Sequence, residues 1–385
     1  MRCFKIGLLP RILLAIVLGI GMGLVMSEPW VRLFVTFNSL FSQLLGFLIP
    51  LIIIGLVTSA IGEIGSQAGR LLLITVGIAY ADTMFSGLLS YATGQMVFPS
   101  LIGQSMTTSV PESAEALTPY FSIQIPPMVD IMSALIFSFI LGICIATGQL
   151  PTLRMMASEF KEVVSRTISN LLIPLLPIYI FGLFLAMTCQ GQVWRIMSLF
   201  ASVITIIVVL HVFILLYEFM IAGLVVHRNP LRLLWNMLPA YMMALGTSSS
   251  AATIPVTLHQ TQKNGVSEET AGFCIPLCAT IHMSGSVMKI TSCALAICMV
   301  EGMPTDFGLF LNFILMLCVV MVAAPGVPGG CIMAALAPLA SILGFSADQQ
   351  ALMITIYIAL DSFGTACNVT GDGAIALIVD RIRNR

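Results

Sequence analysis

The 385-residue chain has 58% hydrophobic and only 9% charged residues, a mean hydropathy of +1.05 and a formal net charge of -1. A soluble domain carries about a quarter charged residues, so this composition excludes a water-soluble enzyme or binding module and points to an all-α polytopic protein in a lipid bilayer. No basic patch interleaved with aromatics occurs, which excludes a nucleic-acid partner.

Six apolar stretches come first, near residues 7–27, 38–62, 71–98, 128–149, 162–188 and 195–226. Each is about 20 residues or longer, enough to cross a hydrocarbon core. Residues 1–226 therefore read as six transmembrane helices. The run from Ile12 to Met26 lacks a clear A-x-A cleavage site and reads as retained. With a cytoplasmic N-terminus, all of the 16 Lys and Arg residues except Arg32, Arg195 and Lys289 fall on the cytoplasmic side. That bias predicts a plasma (inner) membrane protein with both termini cytoplasmic. The ten cysteines lie mostly inside apolar stretches and read as small buried hydrophobes, Cys274 and Cys278 included.

The charge count holds only if residues 227–385 cross the bilayer in an unusual way. The run 229–260 is interrupted at Gly246, Thr247, Ser248, Ser249 and Ser250, and its flanks Arg228 and Lys263 both belong inside, so it must enter and turn back. The run 305–343 is interrupted from Ala324 to Gly330, with acidic flanks suited to the outer side. Each hairpin is followed by one full helix, 267–300 and 351–379. Two hairpin-plus-helix units of opposite orientation form the inverted repeat of a secondary transporter, with its site where the tips meet. The architecture expected is eight transmembrane helices plus two re-entrant helical hairpins.

Irregular backbone at membrane depth must line a cavity or be satisfied by protein. Ser248, Ser249 and Ser250 offer hydroxyls and amides at the start of a half-helix, where an anion such as a substrate carboxylate is favoured. The Pro325 to Gly330 tip offers carbonyls to a cation and reads as a gate. On the last helix Asp361, Thr365, Asn368 and Asp372 follow at i, i+4, i+7 and i+11 and share one face. Two carboxylates on one buried stripe require water, a cation or a charged ligand beside them.

Three ordered motifs carry a family resemblance: the serine tip with Pro255, Gly326-Val-Pro-Gly-Gly330, and Asn368-Val-Thr-Gly-Asp372. The chain resembles the dicarboxylate/amino acid:cation symporter family over nearly its whole length. The resemblance implies a homotrimer working by an elevator motion. Helices 1, 2, 4 and 5 would form the scaffold, and helices 3 and 6 would join the core 227–385 as the transport domain. It places Ser248 to Ser250, Gly326, Val327 and Ser286 at the substrate. Asp361 would hold the substrate amino group, with Thr365 and Asn368 as polar contacts. Asp372 and Asn368, with carbonyls of the neighbouring helix, would form a sodium site, with Met283 beside a second sodium and no organic cofactor.

Two departures from the family pattern shape the functional expectation. Members that take acidic substrates carry an arginine where this chain has Gly364, so a second substrate carboxylate would be buried unpaired. A small neutral amino acid is the expected substrate, with Gly364 admitting extra bulk. The family's Asn-Met-Asp-Gly-Thr is replaced by His282-Met-Ser-Gly-Ser286, so a further sodium aspartate is Ser284. Lys289 and Asp82 are added charges, Asp82 next to Thr83. Lys289 is expected to pair with Asp82 or a neighbouring carboxylate as a built-in cation or titrating group, reducing sodium stoichiometry or bringing in protons. His282 reads first as a hydrogen-bonded structural histidine and second as a proton-coupling group. An acidic or dicarboxylate substrate gripped by Lys289, or a ligand-gated channel or nutrient sensor on the same scaffold, are the alternatives.

Overall fold

The computed structural model describes residues 8–65, 70–105, 117–148, 150–191, 193–322, 324 and 329–383. Gly326 and Val327, expected at the second tip, lie outside the described residues. Every regular element described is helical: α1 (Leu8–Gly23), α2 (Glu28–Gly65), α3 (Arg70–Ser105), α4 (Ile131–Thr147), α5 (Pro151–Thr167), α6 (Ile173–Cys189) and α7 (Val193–Val226). A π turn at Ile168–Leu172 joins α5 to α6. The second half contains α8 (Pro230–Thr247), α9 (Ser250–Lys263), α10 (Glu268–Ile281), α11 (Ser284–Val300), α12 (Phe307–Met321), α13 (Gly330–Ser341), α14 (Ala347–Ala359) and α15 (Asp361–Arg383).

Small residues let the first helices approach closely. A Cβ at Gly19 would lie 2.8 Å from the Phe181 carbonyl and one at Gly23 2.6 Å from Thr188 Cβ, so this small-x-x-x-small face of α1 lies directly on α6. α2 packs on α4, α5 and α6. α3 and α7 pack instead with the second half, α3 against α11 and α7 against α15 and α8, while α13 and α14 touch both groups. Residues 28–59, 71–101, 151–189, 201–226 and 268–300 are each long and apolar enough to cross a membrane.

The first expected hairpin is built from two short arms. Asn229 caps α8 by accepting from Arg232 N at 3.1 Å, with Pro230 at the first helical position. α8 spans about 27 Å and α9 about 21 Å, at roughly 1.5 Å per residue. The end of α9 returns to the start of α8: Asn236 Nδ2 donates to Asn264 Oδ1 at 2.8 Å, and Asn264 Nδ2 to the Leu233 carbonyl at 3.0 Å. α12 and α13 also pack together, with arms of about 22 and 18 Å, too short to span about 30 Å of hydrocarbon.

The helices expected at 267–300 and 351–379 are both interrupted. Extended backbone at His282 (φ -97°, ψ 110°) separates α10 from α11, and the chain bends by 62° between α14 and α15 at Leu360. Both breaks lie where charged side chains converge.

Candidate functional site

The broken elements meet at two adjacent buried centres joined by α15. The first contains Asp361, the opening residue of α15. One carboxylate oxygen, Oδ2, accepts from Gly329 N at 2.8 Å at the start of α13; the other, Oδ1, lies 3.3 Å from Lys289 Nζ. The Lys289 side chain has no exposed surface. Its ammonium also donates to the Leu360 carbonyl at 3.4 Å, which accepts from Phe363 N and Gly364 N as well, and lies 3.6 Å from the centre of the Tyr357 ring, a cation–π contact. The carboxylate, a carbonyl and an aromatic face together offset the cost of burying this charge.

Lys289 also explains Gly364. A Cβ at that position would stand 2.7 Å from Nζ, so the lysine fills the volume that a side chain at 364 would take. The expectation that Gly364 admits substrate bulk is corrected: the space beside it holds the ammonium. Of the two partners expected for Lys289, Asp82 or a neighbouring carboxylate, the structure shows the second, Asp361.

Asn368 stands two turns along α15. Its Oδ1 accepts from Gly285 N at 2.8 Å and Ser286 N at 3.3 Å, and its Nδ2 donates to Ser286 Oγ at 3.0 Å and lies 3.4 Å from Met283 Sδ. Ser286 Oγ meets the Tyr357 hydroxyl at 3.3 Å. Thr365 is buried between these rows. The serine tip comes in from the hairpin. Ser248, with left-handed backbone (φ 49°), ends α8 and meets Ser362 Oγ at 2.7 Å, while Ser249 caps α9 by accepting from Ala252 N at 3.3 Å and Ser250 begins α9, buried.

The second centre is organised by His282. Its Nδ1 lies 3.0 Å from Asp372 Oδ1 and its Nε2 2.9 Å from Asp82 Oδ2, with Glu218 Oε1 at 3.9 Å from Nε2. Ser284 Oγ donates to Glu218 Oε1 at 3.1 Å, and Thr83 Oγ1 accepts from Met283 N at 3.3 Å. The imidazole is fully enclosed and Asp372 and Glu218 nearly so, whereas Asp82 borders a cleft of about 240 Å³ between α3, α7 and α15. A neutral imidazole donates from one nitrogen only. With a carboxylate oxygen at each nitrogen, one further hydrogen sits in the cluster, either on the ring or on a carboxyl group. His211, also on α7, lies 3.0 Å by Nε2 from the Gly285 carbonyl, and both His211 and Glu218 are buried within the chain.

Glu218, Tyr357 and the Leu360 carbonyl carry much of this arrangement, yet the sequence motifs do not mark them. The available signal for Glu218 was a carboxylate inside a long apolar helix, which by default marks a functional group. A cavity of about 580 Å³ lies elsewhere, where α2 and α6 face the start of α14, and its walls include none of these charged groups.

A hard cation needs converging oxygen ligands. At Asp372 a ring nitrogen lies 3.0 Å from Oδ1, and Asn368 Oδ1 is committed to two backbone amides. As arranged here, these two side chains do not converge oxygens on a sodium ion.

Broken helices and short paired arms around a buried ion pair are the interior that a membrane transporter uses. Residues 8–382 match the model of the sodium:dicarboxylate symporter family, and the chain belongs to that family. It is 29% identical over 412 residues to the serine/threonine transporter SstT of Acinetobacter baumannii, covering 99% of this chain and 98% of that protein. It is also 27% identical over 256 residues to the rat excitatory amino acid transporter 1, covering 66% of this chain and 46% of the relative. The bovine excitatory amino acid transporter 1 is similar, 27% identical over 296 residues, 74% of this chain and 54% of its own length.

Proposed function

We propose that the chain is an inner-membrane symporter that imports a small neutral amino acid on a cation gradient. The observation carrying this reading is the Lys289–Asp361 pair, an internal ion pair at the position where substrate is expected. A zwitterion exchanges for it without changing net charge. The substrate ammonium takes Asp361, and the substrate carboxylate takes Lys289 together with the amides and hydroxyls of Ser248 to Ser250. An acidic amino acid brings a second carboxylate with no further cation among the described residues of this centre, a strongly unfavourable burial. Full-length similarity to a serine/threonine transporter supports the same substrate class.

α1, α2 and α4 to α6 form the scaffold of a homotrimer, and α3 with α7 to α15 form the moving domain of an elevator. The packing of α3 and α7 with the second half supports that division. Both termini face the cytoplasm. Sodium drives transport at reduced stoichiometry, and the hydrogen held among Asp82, Glu218, His282 and Asp372 adds a proton contribution. Coupling arises because each ligand raises the affinity for the other.

A second reading has one observation in its favour: Nζ lies where a residue-364 side chain would begin, so Lys289 is placed to grip the distal carboxylate of an acidic or dicarboxylate substrate. The test is uptake by purified protein in proteoliposomes, with labelled serine, threonine, alanine, aspartate, glutamate and succinate under separately imposed sodium and proton gradients. Concentrative uptake led by a neutral amino acid is expected. Preference for aspartate or succinate selects the second reading, and flux without accumulation selects a channel or sensor.

A further inference from the structure

We infer that His282 takes the seat at Asp372 that the family resemblance gives to sodium, so that ion selectivity at this position is set by residue 282. Three observations support this independently of the substrate. The imidazole lies in hydrogen-bonding contact with Asp372 and Asp82 at 3.0 and 2.9 Å and excludes a cation from the oxygen that would ligate it. The helix opposite leaves space for the ring: a Cβ at residue 371 would stand 2.7 Å from His282 Cε1 and run into Glu218 Oε2, and the glycine of the family motif at that position accommodates both groups. The carboxylate missing at Ser284 is replaced from another helix by Glu218, which Ser284 binds at 3.1 Å. Thus the carboxyl groups of the site are retained while the imidazole fills the place of its cation.

The carboxylates facing the ring come from three elements, Asp82 on α3, Glu218 on α7 and Asp372 on α15. Asparagine at 282 is too short to bridge two of them and presents an amide oxygen in place of a ring nitrogen. Removing the imidazole therefore leaves three carboxylates and an oxygen donor, a set suited to a hard cation. The inference concerns the coupling ion of the proposed symport and stands apart from its substrate.

The test uses the full-length protein purified in detergent without any amino acid, so that it is decided separately from substrate specificity. Melting temperature is compared in sodium chloride and choline chloride at equal ionic strength, since an ion bound only by the folded state raises it. Any sodium-specific rise in the wild type is expected to be the same in Asp372→Asn. His282→Asn should gain a sodium-specific rise of several degrees, lost again on adding Asp372→Asn. A wild-type rise abolished by Asp372→Asn, or a His282→Asn protein with no added sodium response, overturns the inference. A cryo-electron microscopy map of the wild type in sodium buffer decides the matter even if the variants do not fold: the ring on Asp372 is expected, and ion density at Asp372 with the ring swung away contradicts it.

Discussion

His282 sits at the α10–α11 break and Lys289 seven positions later on α11, and both are buried against carboxylates of α15. Lys289 meets one carboxylate, Asp361, and satisfies its remaining donors on a carbonyl and an aromatic face. His282 meets three carboxylates, and Glu218 Oε2 has no hydrogen-bond partner among the described residues. The first centre is balanced in charge and open to replacement by a ligand that is itself a pair of charges. The second is acidic, and its balance depends on hydrogens and on the imidazole. Asp361 and Asp372 are separated by about 16 Å of helix, so the two centres share one rigid element but not their contacts.

The largest effects are expected where this contrast is broken outright. Asp361→Asn strands the Lys289 ammonium, and Lys289→Met strands Asp361; either should cost about 3 to 5 kcal/mol of stability and abolish uptake. The double variant Asp361→Asn/Lys289→Met should recover most of the stability but none of the transport, because a neutral pair removes the stranded charge along with the exchangeable one. Thermal melts and uptake assays on the four proteins complete the cycle, and additive losses would mean that the two side chains do not interact.

The second centre should respond to crowding rather than to neutralisation. Gly371→Ala forces a Cβ into Glu218 and His282, and overpacking of this kind costs about 1 to 3 kcal/mol. Its effect on melting should exceed that of alanine at Gly272, where no atom lies within 4 Å of the added Cβ.

The sequence carried the outline of both centres unevenly. The i, i+4, i+7, i+11 stripe brought Asp361, Thr365, Asn368 and Asp372 to one face because helical periodicity is local, and the three serines marked the α8–α9 break for the same reason. Gly364 was misread because the side chain filling its space is Lys289, 75 positions earlier, and no spacing rule reports such a contact. The interruptions at His282 and Leu360 were hidden by apolar runs long enough to read as continuous helices. What surrounds them is tertiary: the Leu360 carbonyl, which opens α15 by accepting from Gly364 N, also takes Lys289, and Met283 N donates to Thr83. Glu218 was visible only as a charge out of place in α7.

Smaller changes sharpen the comparison without breaking it. Ser284→Ala removes the hydrogen bond to Glu218 and should cost about 1.5 to 3 kcal/mol, as expected for a bond to a charged group, with melting temperature as the readout. Ser248→Ala removes the contact with Ser362 and should cost only about 0.5 to 1.5 kcal/mol. Its signature is a raised KM for neutral amino acids at nearly unchanged maximal rate.

Exchange of a zwitterion for the internal ion pair is tested most directly by a substrate-bound structure at side-chain resolution, with serine, threonine or alanine at saturation. The account predicts the ligand ammonium on Asp361, with Lys289 released from it and turned to the ligand carboxylate. A bound amino acid that leaves the 3.3 Å Lys289–Asp361 contact intact and makes no contact with either side chain would contradict it.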